Sequence, residues 1–132
     1  MNDEPATSIE RDADQVTVAL HGEVDVLTVD QVRLALGEAI AARPSVIEVD
    51  LVDLSFIDST GLGALVFGFQ RARDAGIAFR LANPTRAVRQ VLVLSGLLEV
   101  VTLVEPPSPA RASGTPGASN GGYDAPDVPP RR

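Results

Sequence analysis

The stretch that decides the fold runs from Ile47 to Gly63 and reads IEVDLVDLSFIDSTGLG. Its first half alternates apolar residues with acids, which is typical of a half-buried β-strand. The alternation stops at Asp58, and an apolar segment with helical spacing begins at Thr60. A strand that passes directly into a helix displays the intervening residues to solvent and directs backbone N–H groups at an arriving anion. We therefore expect Ser59 to be the N-cap of this helix, with its hydroxyl accepting a backbone N–H.

Outward from this junction, hydrophobic periodicity predicts the element order β-β-α-β-α-β-α-β. The predicted strands span residues 8–12, 15–20, 46–51, 77–81 and 99–104, and the predicted helices span 28–43, 60–75 and 83–96. Thr28 and Gln31 form a capping-box pattern, and Asn83 before Pro84 is typical of an N-cap. Residues 21–25 are predicted to be a loop. Strands that alternate with helices imply a single α/β domain, with a mixed central β-sheet and helices packed on it.

Composition changes sharply after Glu105. Residues 106–132 contain seven Pro and four Gly, with few large apolar side chains. Such a segment cannot bury enough apolar surface to offset the entropy that ordering costs. We predict a folded domain over residues 1–105 and a disordered Pro/Gly-rich tail over 106–132.

The overall composition excludes several classes of function. The chain has 132 residues, 45% of them hydrophobic but only 4% aromatic, so the core must be aliphatic. It contains no cysteine, which excludes disulfides and thiolate chemistry. The net charge of −7 disfavours nucleic acid and suits a basic protein surface. We see neither a signal peptide nor an apolar run long enough to span a membrane, and expect a cytoplasmic protein with no membrane partner.

Catalytic motifs are weak or missing. His21 is the only histidine available as a base, and the G-x-S-x-G pattern of a nucleophile elbow is absent. A phosphate-binding loop would need a lysine, and the chain has none. Four acids, Glu23, Asp25, Asp53 and Asp58, could in principle hold magnesium, although carboxylates at loop ends are usually only solvated. We predict a protein that is not an enzyme and has no cofactor and no resident metal.

Three segments resemble the STAS domain family, and within it the bacterial anti-sigma factor antagonists. Gly22–Asp25 (GEVD) is similar to the family's G-E-[LVI]-D loop, and Asp53–Gly63 (DLSFIDSTGLG) to its D-L-[ST]-x-[MI]-D-S-[ST]-G-L-G motif. Ser95–Leu97 is a weaker match. The element order agrees over roughly residues 8–104. One departure is that the family usually ends in a further helix, where this chain has its proline-rich segment.

The resemblance implies a function and its residues. Such a protein binds an anti-sigma factor that is also a serine kinase, and thereby releases a sigma factor for transcription in a stress response. The kinase phosphorylates the hydroxyl after the motif aspartate, here Ser59, with Thr60 as a second candidate, and a metal-dependent serine phosphatase reverses the modification. The implied partner-binding residues are Glu23, Asp25, Asp58, Ser59, Thr60, Gly61, Leu62 and Gly63. An alternative is a STAS module that scaffolds a signalling complex or senses a ligand without being phosphorylated.

Overall fold

A computed structural model describes residues 6–104 of the chain. Five strands and three α-helices follow one another in the predicted order, with a short 3₁₀ turn at Leu97–Glu99 before the last strand. The strands are β1 (Thr7–Asp12), β2 (Gln15–Val24), β3 (Val46–Ile57), β4 (Ala78–Ala82) and β5 (Thr102–Val104). The helices are α1 (Val29–Ala41), α2 (Ser59–Asp74) and α3 (Arg86–Ser95).

The strands form one mixed sheet in the order β1-β2-β3-β4-β5. β1 and β2 form an antiparallel hairpin, whereas β2, β3, β4 and β5 run parallel. Each parallel pair is joined by a helix, as parallel connections require. The predicted α/β fold with a mixed sheet is therefore confirmed.

The core lies between one face of the sheet and the helices. Alternate side chains of the central strands are fully buried there, as Val18, Val49 and Leu81 illustrate. Helices α1 and α2 pack side by side, and Leu36 of α1 lies against Gly68 of α2. The buried residues are almost all aliphatic, as predicted, with Phe79 the aromatic member of this core among residues 6–104.

The predicted loop at residues 21–25 is wrong, because β2 continues to Val24. Strand β3 is also longer than predicted and ends at Ile57. The two strands stay paired to their last residues, Val24 opposite Ile57, but their register shifts between Ala19 and His21 and again after Gly22. These irregularities break the two-residue alternation, which is the signal that sequence reading depends on.

The start of the third helix and the last strand also differ from prediction. Asn83 does not cap α3: its backbone is left-handed at φ 58°, and Thr85 is the N-cap, whose hydroxyl accepts from the Val88 N–H at 3.2 Å. The predicted strand 99–104 is shortened to Thr102–Val104, because the 3₁₀ turn occupies its beginning. The predicted tail at 106–132 lies outside the described residues.

Candidate functional site at the strand-to-helix junction

Asp58 caps helix α2 at the β3–α2 junction, which comprises Asp58, Ser59, Thr60 and Gly61. Its backbone is extended, and its Oδ1 accepts the Gly61 N–H at 3.1 Å. The Leu62 N–H donates to the Asp58 carbonyl oxygen at 2.9 Å, which closes the first helical turn. The prediction that Ser59 is the N-cap is therefore wrong: the helix begins one residue earlier than expected, and Ser59 is its first residue.

The hydroxyls of Ser59 and Thr60 do not contribute hydrogen bonds to the fold. The Ser59 side chain is exposed and that of Thr60 is partly exposed. Neither hydroxyl makes a hydrogen bond with any other residue in the range 6–104. Because the Asp58 carboxylate accepts the Gly61 N–H, the Ser59 hydroxyl is not used to cap the helix and lies exposed.

The two glycines of the motif serve different purposes. Gly61 is buried, and a Cβ there would lie 2.6 Å from Ile57 Cγ1 and 2.8 Å from Val24 Cγ1. A Cβ on Gly63 would have no neighbour within 4 Å. Gly61 thus permits close packing of α2 on the ends of β2 and β3, whereas Gly63 leaves the outer face of the helix unobstructed. Leu62, between them, is partly buried against the core.

Asp25 lies at the same edge of the sheet as Asp58. Each follows the last residue of its strand, Val24 and Ile57, and those two residues are paired. The Asp58 N–H donates to the Val24 carbonyl oxygen at 3.3 Å, which ties the two strand ends together. The Asp25 side chain folds back to accept the Leu27 N–H at 2.9 Å. The structure therefore brings the two predicted acids to neighbouring positions.

The predicted capping box at Thr28 is wrong. Thr28 precedes α1, but its hydroxyl accepts the Asp25 N–H at 3.1 Å and donates to the Glu23 carbonyl oxygen at 2.9 Å. The Gln31 side chain accepts the N–H of Ala6 at 3.0 Å instead of reaching back to Thr28. Both side chains hydrogen-bond to segments outside α1, and these contacts could not be predicted from the local sequence pattern.

A cluster that sequence reading missed joins the first three strands. Ser8 Oγ lies 3.2 Å from His21 Nε2, and His21 Nδ1 lies 3.6 Å from an oxygen of Asp53. The order of groups is that of a hydrolytic triad, but such a triad needs a buried aspartate hydrogen-bonded to the imidazole, and the Asp53 side chain is 66% exposed. We interpret the cluster as a set of polar side-chain contacts that link β1, β2 and β3. The two-residue gap between the predicted strands 8–12 and 15–20 is short enough for a hairpin, and this pairing could have placed Ser8 near His21.

The acids of this edge do not assemble a metal centre. Across residues 6–104, no group of three or more histidine, aspartate or glutamate residues is placed to hold a metal ion. The magnesium site considered for Glu23, Asp25, Asp53 and Asp58 is therefore not formed. In the same part of the chain, none of the helices is both long and apolar enough to cross a membrane.

Comparison with known proteins identifies the fold and its relatives. The STAS domain family model matches residues 6–109. The anti-sigma F factor antagonist of Lysinibacillus sphaericus is 40% identical over 85 residues, which are 62% of this chain and 71% of that protein. The anti-sigma F factor antagonist of Paenibacillus polymyxa is 32% identical over 89 residues, which are 67% of this chain and 76% of that protein.

Solved structures agree with these relatives. The anti-sigma factor antagonist SpoIIAA in its unphosphorylated form superposes with a TM-score of 0.66 at 27% identity, over 82% of this chain and 93% of that one. The phosphorylated form of SpoIIAA from Bacillus gives a TM-score of 0.61 at 25% identity, over 82% and 96% of the two chains. The chain therefore belongs to the STAS domain family, and these relatives within the family are anti-sigma factor antagonists.

Proposed function

We propose that this protein is an anti-sigma factor antagonist whose binding is switched off by phosphorylation of Ser59. In this proposal an anti-sigma factor with serine kinase activity binds at the β3–α2 junction, and the sigma factor is released. The same kinase then modifies Ser59, and a metal-dependent serine phosphatase removes the phosphate. The protein is a substrate in this cycle and contributes no catalytic group of its own. The cycle belongs in the cytoplasm, where sigma factors act.

The observation that carries the proposal is the free hydroxyl of Ser59 at a helix start that another residue caps. A serine at the N-cap itself would be engaged with a backbone N–H and would contribute about 1 kcal/mol to stability. Here Asp58 provides the cap, so the Ser59 Oγ can enter a kinase active site without breaking a hydrogen bond of the domain. The phosphorylated form of SpoIIAA, a relative with the same fold, is consistent with such a use.

Electrostatics explain how the modification would act on binding and not on folding. A phosphoserine adds about −1.5 to −2 charges, and a helix N-terminus stabilises a negative charge by about 0.3–1 kcal/mol. Asp58 and Asp25, at the same edge, oppose that gain by like-charge repulsion. The two effects largely offset within the domain. For a docked partner, by contrast, a neutral hydroxyl is replaced by a bulky anion, which disrupts the contact.

The test is phosphorylation by anti-sigma factor kinases from the same genome, with ATP and Mg²⁺, followed on a phosphate-affinity gel. The wild type should give one shifted band and Ser59→Ala none. Thr60→Ala is the matched control, since it removes the adjacent hydroxyl, and it should shift as the wild type does. Ser59→Asp should weaken binding to the same kinase at least tenfold.

Two results would contradict the proposal. A shifted band of wild-type intensity in Ser59→Ala would remove the assignment of the site. Binding without any phosphorylation, and with equal affinity for wild type and Ser59→Asp, would favour a STAS scaffold or ligand-sensing module over a phosphorylation switch.

A further inference from the structure

We propose that Val26 and Leu27, in the loop between β2 and α1, form an apolar anchor that enters a basic-rimmed pocket of the anti-sigma factor. This inference rests on the proposed function and deepens it, because it names the part of the surface that holds the partner while Ser59 is presented. The anchor would determine affinity and partner choice, and phosphorylation of the Ser59 hydroxyl would control whether the partner binds.

The anchor is strongly exposed and yet held in place. Val26 is 71% exposed and Leu27 is 86% exposed. The Leu27 N–H is bound by the Asp25 carboxylate at 2.9 Å, and the Thr28 N–H donates to the Asp25 carbonyl oxygen at 3.1 Å. A single exposed leucine is ordinary, but two adjacent apolar side chains displayed by a hydrogen-bonded turn lose little conformational freedom when a partner covers them.

The packing of α1 and α2 places this anchor beside Ser59. Both helices lead away from the same edge of the sheet, so they run in the same direction, and Leu36 meets Gly68 where they pack. Thr28 precedes Leu36 by eight residues, and Thr60 precedes Gly68 by eight residues. At 1.5 Å per residue, each lies about 12 Å from that contact along its helix axis. The two helix starts are therefore level. Leu27 and Ser59, each one residue earlier, are therefore expected to lie about one interhelix distance apart, roughly 8–10 Å.

Charge identifies the kind of partner. The acids Glu23 and Asp25 precede the anchor in the chain, Asp58 follows the paired strand end at the same edge of the sheet, and the whole chain carries a net charge of −7. An apolar centre with a charged rim is typical of a protein interface, and an acidic rim calls for a basic one opposite. A second copy of this chain would bring the same acids face to face, so self-association through this surface is disfavoured. The occupant that fits is the anti-sigma factor, with an apolar pocket bordered by Arg or Lys.

The experiment measures the affinity of the kinase identified above for Leu27→Ala by calorimetry, with unphosphorylated protein. We expect Kd to rise at least tenfold, which is about 1.4 kcal/mol. Leu94→Ala is the matched control: Leu94 is 79% exposed near the end of α3 that points away from this edge, and Kd should stay within twofold. Leu27→Met, which keeps the apolar volume, should restore most of the affinity. Thermal melting of all three variants should match the wild type, because the side chains are exposed.

The outcomes separate this inference from the proposed function. If the kinase binds and modifies the wild type but binds Leu27→Ala equally well, the anchor is wrong and the switch at Ser59 stands. If no anti-sigma factor of the genome binds or modifies the wild type, the proposed function fails and the anchor fails with it. If Leu94→Ala weakens binding as much as Leu27→Ala, the effect is not specific to this loop. If Leu27→Ala dissociates a dimer on a sizing column while kinase affinity is unchanged, the surface serves self-association, which contradicts the inference.

Discussion

The β2–α1 and β3–α2 connections start from paired residues, Val24 and Ile57, but they begin their helices in different ways. In both, an acid follows the strand and a helix must begin at the same edge of the sheet. In the β3–α2 connection the acid caps the helix directly, through the bond between Asp58 and the Gly61 N–H. In the β2–α1 connection the carboxylate of Asp25 binds the loop instead, at Leu27, and α1 begins without a side-chain cap.

The difference shows what each connection is built to display. A four-residue loop has room for two apolar side chains, and its polar groups are used to hold the turn. A direct passage from strand to helix has no loop residues, so helix α2 packs closely against the strand ends, and the hydroxyls of Ser59 and Thr60 are left without a hydrogen bond within the described residues. The shorter connection therefore depends on a residue without a side chain at Gly61, and it frees Ser59 for another use.

The largest expected effect comes from filling the tight contact of the shorter connection. In Gly61→Ala the new methyl group would meet Ile57 and Val24 at 2.6 and 2.8 Å, and both are β-branched side chains with little rotamer freedom. Overpacking of this kind costs about 1–3 kcal/mol in the free energy of unfolding. We expect a lower melting temperature, by about 4–8 °C for each kcal/mol in a domain of this size, measured by circular dichroism.

Gly63→Ala is the control for that substitution. The same methyl group enters open space two residues later in the same helix, so it should be neutral or raise stability by about 0.5–1 kcal/mol through helix propensity. Equal losses in the two variants would show that the tight packing at Gly61 is not what the junction depends on.

A smaller effect is expected from removing the cap. Asp58→Ala deletes the acceptor for the Gly61 N–H and should lower the free energy of unfolding by about 0.5–2 kcal/mol in guanidinium titrations. Asp58→Asn keeps the acceptor and loses only the interaction of the charge with the helix dipole, about 0.3–1 kcal/mol. A loss in Asp58→Asn as large as that in Asp58→Ala would mean that charge, and not the hydrogen bond, stabilises the start of α2.

Element order and the position of the strand-to-helix junction could be predicted from the sequence because both depend on local patterns. Periodicity identified each helix, and the passage from strand to helix around Asp58 and Ser59 was visible in the motif. The metal-binding alternative could be settled only with coordinates, since convergence of four acids is a matter of distance. The lengths of β2 and β3 were underestimated because register shifts in the parallel pair interrupt the alternation that reveals a strand.

The caps were the part that the sequence could not settle. Asp58, Ser59 and Thr60 are all acceptable N-cap residues, and the choice among them depends on where Gly61 must pack against Val24 and Ile57. Similarly, Thr28 and Gln31 satisfy a capping-box pattern, but backbone groups brought near by the sheet compete for their side chains. Local chemistry supplies the candidates, and tertiary packing selects one.

The smallest expected effect comes from changing Ser59, and it separates the capping of α2 from the presentation of a phosphorylation site. Ser59→Ala should leave the free energy of unfolding within about 0.5 kcal/mol of the wild type, because an exposed side chain without a hydrogen bond is removed. Ser59→Asp should also change it little, since attraction to the helix N-terminus and repulsion from Asp58 act in opposite directions. Guanidinium titrations of the two variants beside Asp58→Ala would measure this. A loss of 1 kcal/mol or more in Ser59→Ala would mean that Ser59 shares in capping α2, and a kinase acting there would then have to destabilise the domain in order to switch it.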